Sequence, residues 1–121
     1  MILRTLAAAL VAGALLTGCE QDKIEVDSAS ETGAQLFNER CSGCHTLSVA
    51  SAHGSKPEGQ VSGGERTNGP NFDTRHVVKD DALFAIRNGG FSGAIMPANI
   101  VVGDNAEKVA EFLEKYSGNG D

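Results

Sequence analysis

The sequence predicts an all-α domain of three to four helices wrapped around a bound group, joined by long loops. Three observations predict it. Apolar residues recur at helical spacing in three stretches, 33–44, 81–87 and 109–116. No two runs alternate in a way that would pair as strands. Between the first two stretches lie 24 residues, 46–69 (TLSVASAHGSKPEGQVSGGERTNG), with neither period. A loop that long in a small domain is usually functional or disordered.

The chain begins with segments outside that domain. Met1 to Arg4 is a short basic start, and Thr5 to Leu16 is an uncharged apolar run of 12 residues. A bilayer span needs roughly 17–25 residues, so residues 1–18 read as an export signal. Leu16-Thr17-Gly18-Cys19 follows and resembles the lipobox of bacterial lipoproteins, which implies lipidation of Cys19 after cleavage. Residues 19–30 are mostly polar (EQDKIEVDSAS after Cys19) and are expected to form a lipidated, flexible tether. The domain is expected at 31–118, with a short tail at 119–121. These features predict an exported protein, anchored by lipid to a bacterial membrane and facing the periplasm or another extracytoplasmic space.

Cleavage before Cys19 leaves 9 basic and 16 acidic side chains, a formal charge of −7. Such a balance argues against nucleic acid, whose phosphates require clustered Lys and Arg. It favours protein partners with basic docking patches. With no Trp, one Tyr and five Phe, the chain has little bulk for a core and is expected to need a staple or a cofactor.

Each helix carries local signals. Thr32 reads as an N-cap with Gln35 completing a capping box, and Gly33, Phe37, Cys41 and Cys44 share the following face. Asp80 is the expected cap of the second helix, which stops at Asn88-Gly89-Gly90. Val101 and Val102 have no partner run and are expected in irregular chain. The last helix is expected to be capped by Asp104 with Glu107, to bury Val109, Phe112, Leu113 and Tyr116, and to end at Gly118.

The chemistry is concentrated at Cys41-Ser42-Gly43-Cys44-His45. A redox dithiol needs a strand before the motif, and none is predicted. A structural zinc site needs four ligands, and only His53 and His76 remain beyond this motif. CxxCH is the c-type haem attachment signature, with two thiols one helical turn apart and a histidine next to them. On that reading Cys41 and Cys44 anchor one haem c covalently, and His45 is the proximal iron ligand. Met96, the only methionine besides the initiator, precedes Pro97 in an extended context and is the expected sixth ligand. His76 is the alternative sixth ligand, while His53 reads as an exposed side chain.

Gly33-x3-Phe37, Cys41-x2-Cys44-His45, Gly69-Pro70-Asn71-Phe72, Ile86-x2-Gly89, Met96-Pro97 and Leu113-x2-Tyr116 together resemble the small class I cytochromes c. The resemblance covers Thr32 to about Ser117. It implies the cytochrome c fold, with the first and last helices crossing at Gly33 and Phe37 against Leu113 and Tyr116. It also implies that the Pro70 carbonyl orients the proximal histidine. The glycine-rich stretch before Pro70 departs from a compact member, and Arg66 and Arg75 are candidates to meet the haem propionates there. The implied function is single-electron transfer in a membrane-associated chain, not enzymatic catalysis. A haem-based redox or gas sensor and a docked subunit of a larger oxidoreductase are the alternatives.

Overall fold

The computed structural model describes residues 23–60, 62–91 and 95–120. The signal segment, the lipobox with Cys19 and residues 20–22 of the tether lie outside the described residues. Three α-helices dominate: α1 (Glu31–Cys41), α2 (Lys79–Asn88) and α3 (Asp104–Tyr116). Both α1 and α2 pack on α3. Among the described residues no helix is long and apolar enough to cross a membrane.

The expected helical faces are largely the buried ones, though Cys44 and Tyr116 are only half-buried. Gly33, Ala34, Phe37 and Cys41 face inward on α1, Ala82, Leu83 and Ile86 on α2, and Val109, Phe112 and Leu113 on α3. The α1–α3 crossing turns on Gly33. A Cβ there would sit 2.8 Å from the Phe112 Cβ and would collide with the Lys108 carbonyl. Phe37 lies 5.9 Å from Phe112 between ring centroids, so this face of α1 meets Lys108 and Phe112 on α3.

None of the three expected helix caps forms. α1 starts at Glu31, ahead of Thr32, and its flanking Ser30 makes no cap bond because its hydroxyl is engaged by Asp27 at 3.1 Å. Gln35 bonds Glu31 within the helix instead of reaching back. Asp80 lies inside α2, which begins after the extended Val78. Asp104 lies inside α3, behind Gly103 at φ 58° and ψ −142°, a backbone that favours glycine. Glu107 is drawn to Lys79 (2.9 Å) and Arg87 (3.0 Å) on α2. Hydrogen bonds that Lys79 donates to Glu111 and then Glu107 raise its pKa, but exposed pairs of this kind contribute little to stability. The predicted stop of α2 forms: Gly89, at φ 81°, donates its N–H to the Ala85 carbonyl. α3 ends at Tyr116, two residues before Gly118.

The long segment after His45 is more ordered than its sequence predicts. Thr46–Leu47 (β1) pairs antiparallel with Ala52–His53 (β2) around a single 3-10 turn at Ser48–Ala50. The Asn38 amide ties the turn to α1 by donating to Ala50 (2.8 Å) and Ser51 (3.1 Å) carbonyls. Farther on, the Asn68 side-chain oxygen accepts from the Ser55 N–H at 3.1 Å and from its hydroxyl at 3.2 Å. Side-chain bonds to backbone replace a hydrophobic period here, which is why a periodicity search misses the order.

The tether is also shorter than expected. Ile24 and Val26 pack against the core, and the Asp27 carboxylate accepts from Lys115 (2.6 Å) and from the Tyr116 hydroxyl on α3. It also accepts the Ala29 and Ser30 N–H groups, so one side chain turns the chain into α1 and clasps it to α3. The Lys115 and Tyr116 bonds hold the Asp27 carboxyl well below the usual carboxylate range. A carboxylate depressed in the folded state stabilises above its unfolded pKa of about 4, and that contribution is lost as pH falls below it. Asp27→Asn is therefore expected to lower the melting temperature by a few degrees at pH 7. The gap from wild type should stay constant down to about pH 5 and narrow below about pH 4. A gap that does not change across that range would show that the charge plays no part.

Candidate haem site

Helix α1 ends by delivering Cys41, buried, to the interior. The next turn is held by the N–H groups of Cys44 (3.1 Å) and His45 (2.9 Å), both donating to the Cys41 carbonyl. Both thiols are free, with Cys44 half-buried. Burial, then the nearby Cys44, pushes the Cys41 thiol up to about 12. A reactive redox dithiol needs a lowered pKa, so this environment argues against that chemistry. Among the described residues no three His, Cys, Asp or Glu side chains gather as a metal cluster, which disfavours zinc.

His45 is seated on three sides. Its Nδ1 lies 3.1 Å from the Pro70 carbonyl oxygen, which can only accept, so Nδ1 carries the proton and Nε2 the lone pair. The ring stacks on Phe72 at 4.8 Å and 13°. A Cβ at Gly69 would come within 2.5 Å of the ring, so the residue before Pro70 must be glycine for the imidazole to lie there. The Gly69 N–H donates to the Cys44 carbonyl at 2.6 Å and fastens this loop under the motif. Burial lowers the pKa of His45, only partly offset by the Pro70 bond, and so favours the neutral, ligating form.

Met96 arrives from the loop after α2. Gly89 and Gly90 take positive φ, and a Cβ at Gly89 would stand 2.8 Å from the Met96 carbonyl oxygen. The Asn99 N–H returns the loop to α2 by donating to the Ile86 carbonyl at 2.7 Å. Met96 itself is half-buried.

These parts border one cavity of about 650 Å³. Ligand pockets commonly run from about 300 to 1,000 Å³, so this is a large one for a chain this size. Cys41, His45, Pro70 and Met96 all line it, as do core residues such as Ile86 and Leu113. A mostly apolar chamber bordered by an imidazole, a thioether and a CxxCH thiol fits a haem. Arg75 and His76 also line it; Cys44 and Arg66 do not. Sequence reasoning missed Asp81, Phe91 and Ile95 as wall residues.

The cytochrome c family profile matches residues 30–117. The chain belongs to the cytochrome c family. Its fold is accordingly the cytochrome c fold, as the sequence predicts. Among solved structures it is similar to the c-type cytochrome SorU from Sinorhizobium meliloti, with a TM-score of 0.57 and 29% identity. That likeness covers 76% of this chain and 94% of SorU. No curated protein matches the chain. Family membership makes this cytochrome a haem protein of electron transfer, the chemistry for which the cavity is shaped.

Proposed function

We propose that this cytochrome is a class I, monohaem carrier of single electrons, held by lipid on Cys19 at the extracytoplasmic face of a bacterial membrane. The observation that carries the reading is the meeting of the CSGCH corner and Met96, about fifty residues apart in sequence, on one cavity. Cys41 and Cys44 would hold one haem c through thioethers, and His45 and Met96 would be its axial ligands. The haem, when bound, supplies a one-electron iron couple. The Pro70 carbonyl fixes the His45 ring and raises its basicity through Nδ1–H. Phe37, Phe72 and the helix α3 residues Val109 and Leu113 give the chamber an apolar wall, against which nearby charges would act strongly on the potential. Two protein ligands, His45 and Met96, would leave a bound iron no position for substrate, so we assign electron transfer rather than catalysis. The acidic surface suits brief, salt-sensitive encounters with redox proteins that carry basic docking patches.

Two measurements test this. Protein matured with haem-attachment machinery should retain haem on a denaturing gel and give a c-type α-band in its reduced-minus-oxidised spectrum. Absence of covalent haem would overturn the reading. Cys19→Ser should move most of the protein from the membrane fraction to the soluble one, and continued membrane association would point to a different anchor.

A further inference from the structure

Helix α2 buries Ala82, Leu83 and Ile86 and leaves its opposite face exposed. Asp80, Asp81, Phe84, Arg87 and Asn88 are the exposed residues, and at about 100° per residue they fall within one stripe of about 120°. Phe84 is 49% exposed and stacks on Phe91, itself 64% exposed, at 5.1 Å between ring centroids and 25°. A paired aromatic patch rimmed by polar residues marks an interaction site. Phe91 also lines the cavity, so the patch adjoins the chamber described above.

The charges around Phe84 decide what fits. Asp81 and Arg87 lie three residues from it on opposite sides, about 4.5 Å along the axis in each direction. Asp80 and Asn88 flank it in the same way at four residues. A second α2 laid antiparallel, with a two-fold axis at Phe84, sets Asp81 of each copy against Arg87 of the other. It also sets each Asp80 against an Asn88 amide. Neither Asp80 nor Asp81 enters an ion pair among the described residues. Arg87 gives one nitrogen to Glu107 at 3.0 Å, but its side chain is 55% exposed and a guanidinium has further N–H donors to offer. The helix carries two acidic and two basic residues, whereas the whole chain has a formal charge of −6. A second copy therefore meets balanced, complementary charge on this face. An anionic lipid surface would meet Asp80 and Asp81, and a basic protein would meet Arg87.

We propose that α2 is a self-docking surface, on which two copies of this chain pair about a two-fold axis at Phe84. The contact is small, so it belongs with transient encounters that bury under about 1,200 Å². In an interface of this symmetry each side chain acts twice, and every substitution counts twice. Phe91 belongs to both the patch and the cavity wall, so pairing also brings two haem chambers to one interface, a consequence that rests on the haem reading above.

The test is sedimentation of the haem-loaded protein, freed from its lipid by Cys19→Ser, at concentrations up to about 1 mM. The protein should show a monomer–dimer equilibrium, and Phe84→Ala should weaken it at least about tenfold. Asp81→Arg and Arg87→Asp should each weaken it alone, because like charges then face each other twice. An equimolar mixture of those two variants should restore the dimer. Glu58→Arg, in the loop before Gly69, changes the net charge as much as Asp81→Arg and should keep the dimer. A protein that stays monomeric to about 1 mM, a Phe84→Ala variant that pairs like wild type, or a mixture that restores nothing would overturn the proposal. If the monomer floats with phosphatidylglycerol vesicles or is held by polylysine only while Phe84 is present, the patch belongs to the membrane or to a basic protein instead. Failure to attach haem at all would overturn the function proposed above, not this pairing.

Discussion

Replacing Phe37 with alanine is expected to lower the melting temperature of the domain by roughly 12–40 °C. Phe37 is 1% exposed and joins the two halves of the core. Its ring lies 5.9 Å from Phe112 on α3 and 6.1 Å from Phe72, which carries the His45 ring on its face. Truncating a buried phenylalanine typically costs about 3–5 kcal/mol, through lost burial and the cavity left behind. Small domains have about 5–15 kcal/mol in total, so the variant stands near the edge of folding. Phe37→Leu keeps most of the volume and should lose less than half as much. Phe84→Ala is the matched control: this side chain is 49% exposed, and its loss should move stability by about 0.5 kcal/mol or less. Thermal melts followed by circular dichroism decide the matter. A Phe37→Ala midpoint within a few degrees of wild type would show that the core does not depend on this contact.

The helix faces and the haem motif were legible in the sequence because each depends on short spacings. Phe37 and Cys41 lie four residues apart, and CSGCH is contiguous. The helix starts were not legible, because tertiary partners compete for the capping groups. Glu107 reads as a capping-box acid from its neighbours alone, yet Lys79 and Arg87, distant in sequence, take its carboxylate. Asp27 reads as tether, yet Lys115 and Tyr116 of α3, far along the chain, make it a clasp. For the same reason the Gly-rich segment reads as loop, since its order comes from Asn38 and Asn68 bonding to backbone and neighbouring side chains rather than from apolar spacing. At the site, Gly69-Pro70 and Met96-Pro97 could be named from sequence. That Gly69 must lack a Cβ because the His45 ring lies against it emerges only from the fold.

The second large effect concerns the reduction potential. Met96→Ala is expected to lower the midpoint potential by on the order of 0.1 V or more, within the ~0.8 V range over which axial ligands tune haem. A thioether is a soft, weak donor that favours the reduced metal, so its loss shifts the balance toward the oxidised state. Carbon monoxide should then bind the reduced protein, which the wild type resists. The Met96 loop is anchored independently of the side chain, through the Asn99–Ile86 bond and the contact against Gly89. The variant should therefore keep its fold, and the change in potential reports ligation rather than unfolding. His76 is the competing ligand, and its Nδ1 lies on the Ser117 carbonyl at 3.1 Å, as that of His45 lies on the Pro70 carbonyl. Three variants separate the two. If Met96 is the ligand, Met96→Ala opens the metal to carbon monoxide, His76→Gln does not, and the double variant behaves as Met96→Ala. If instead Met96→Ala keeps the wild-type potential while His76→Gln admits carbon monoxide, His76 is the ligand.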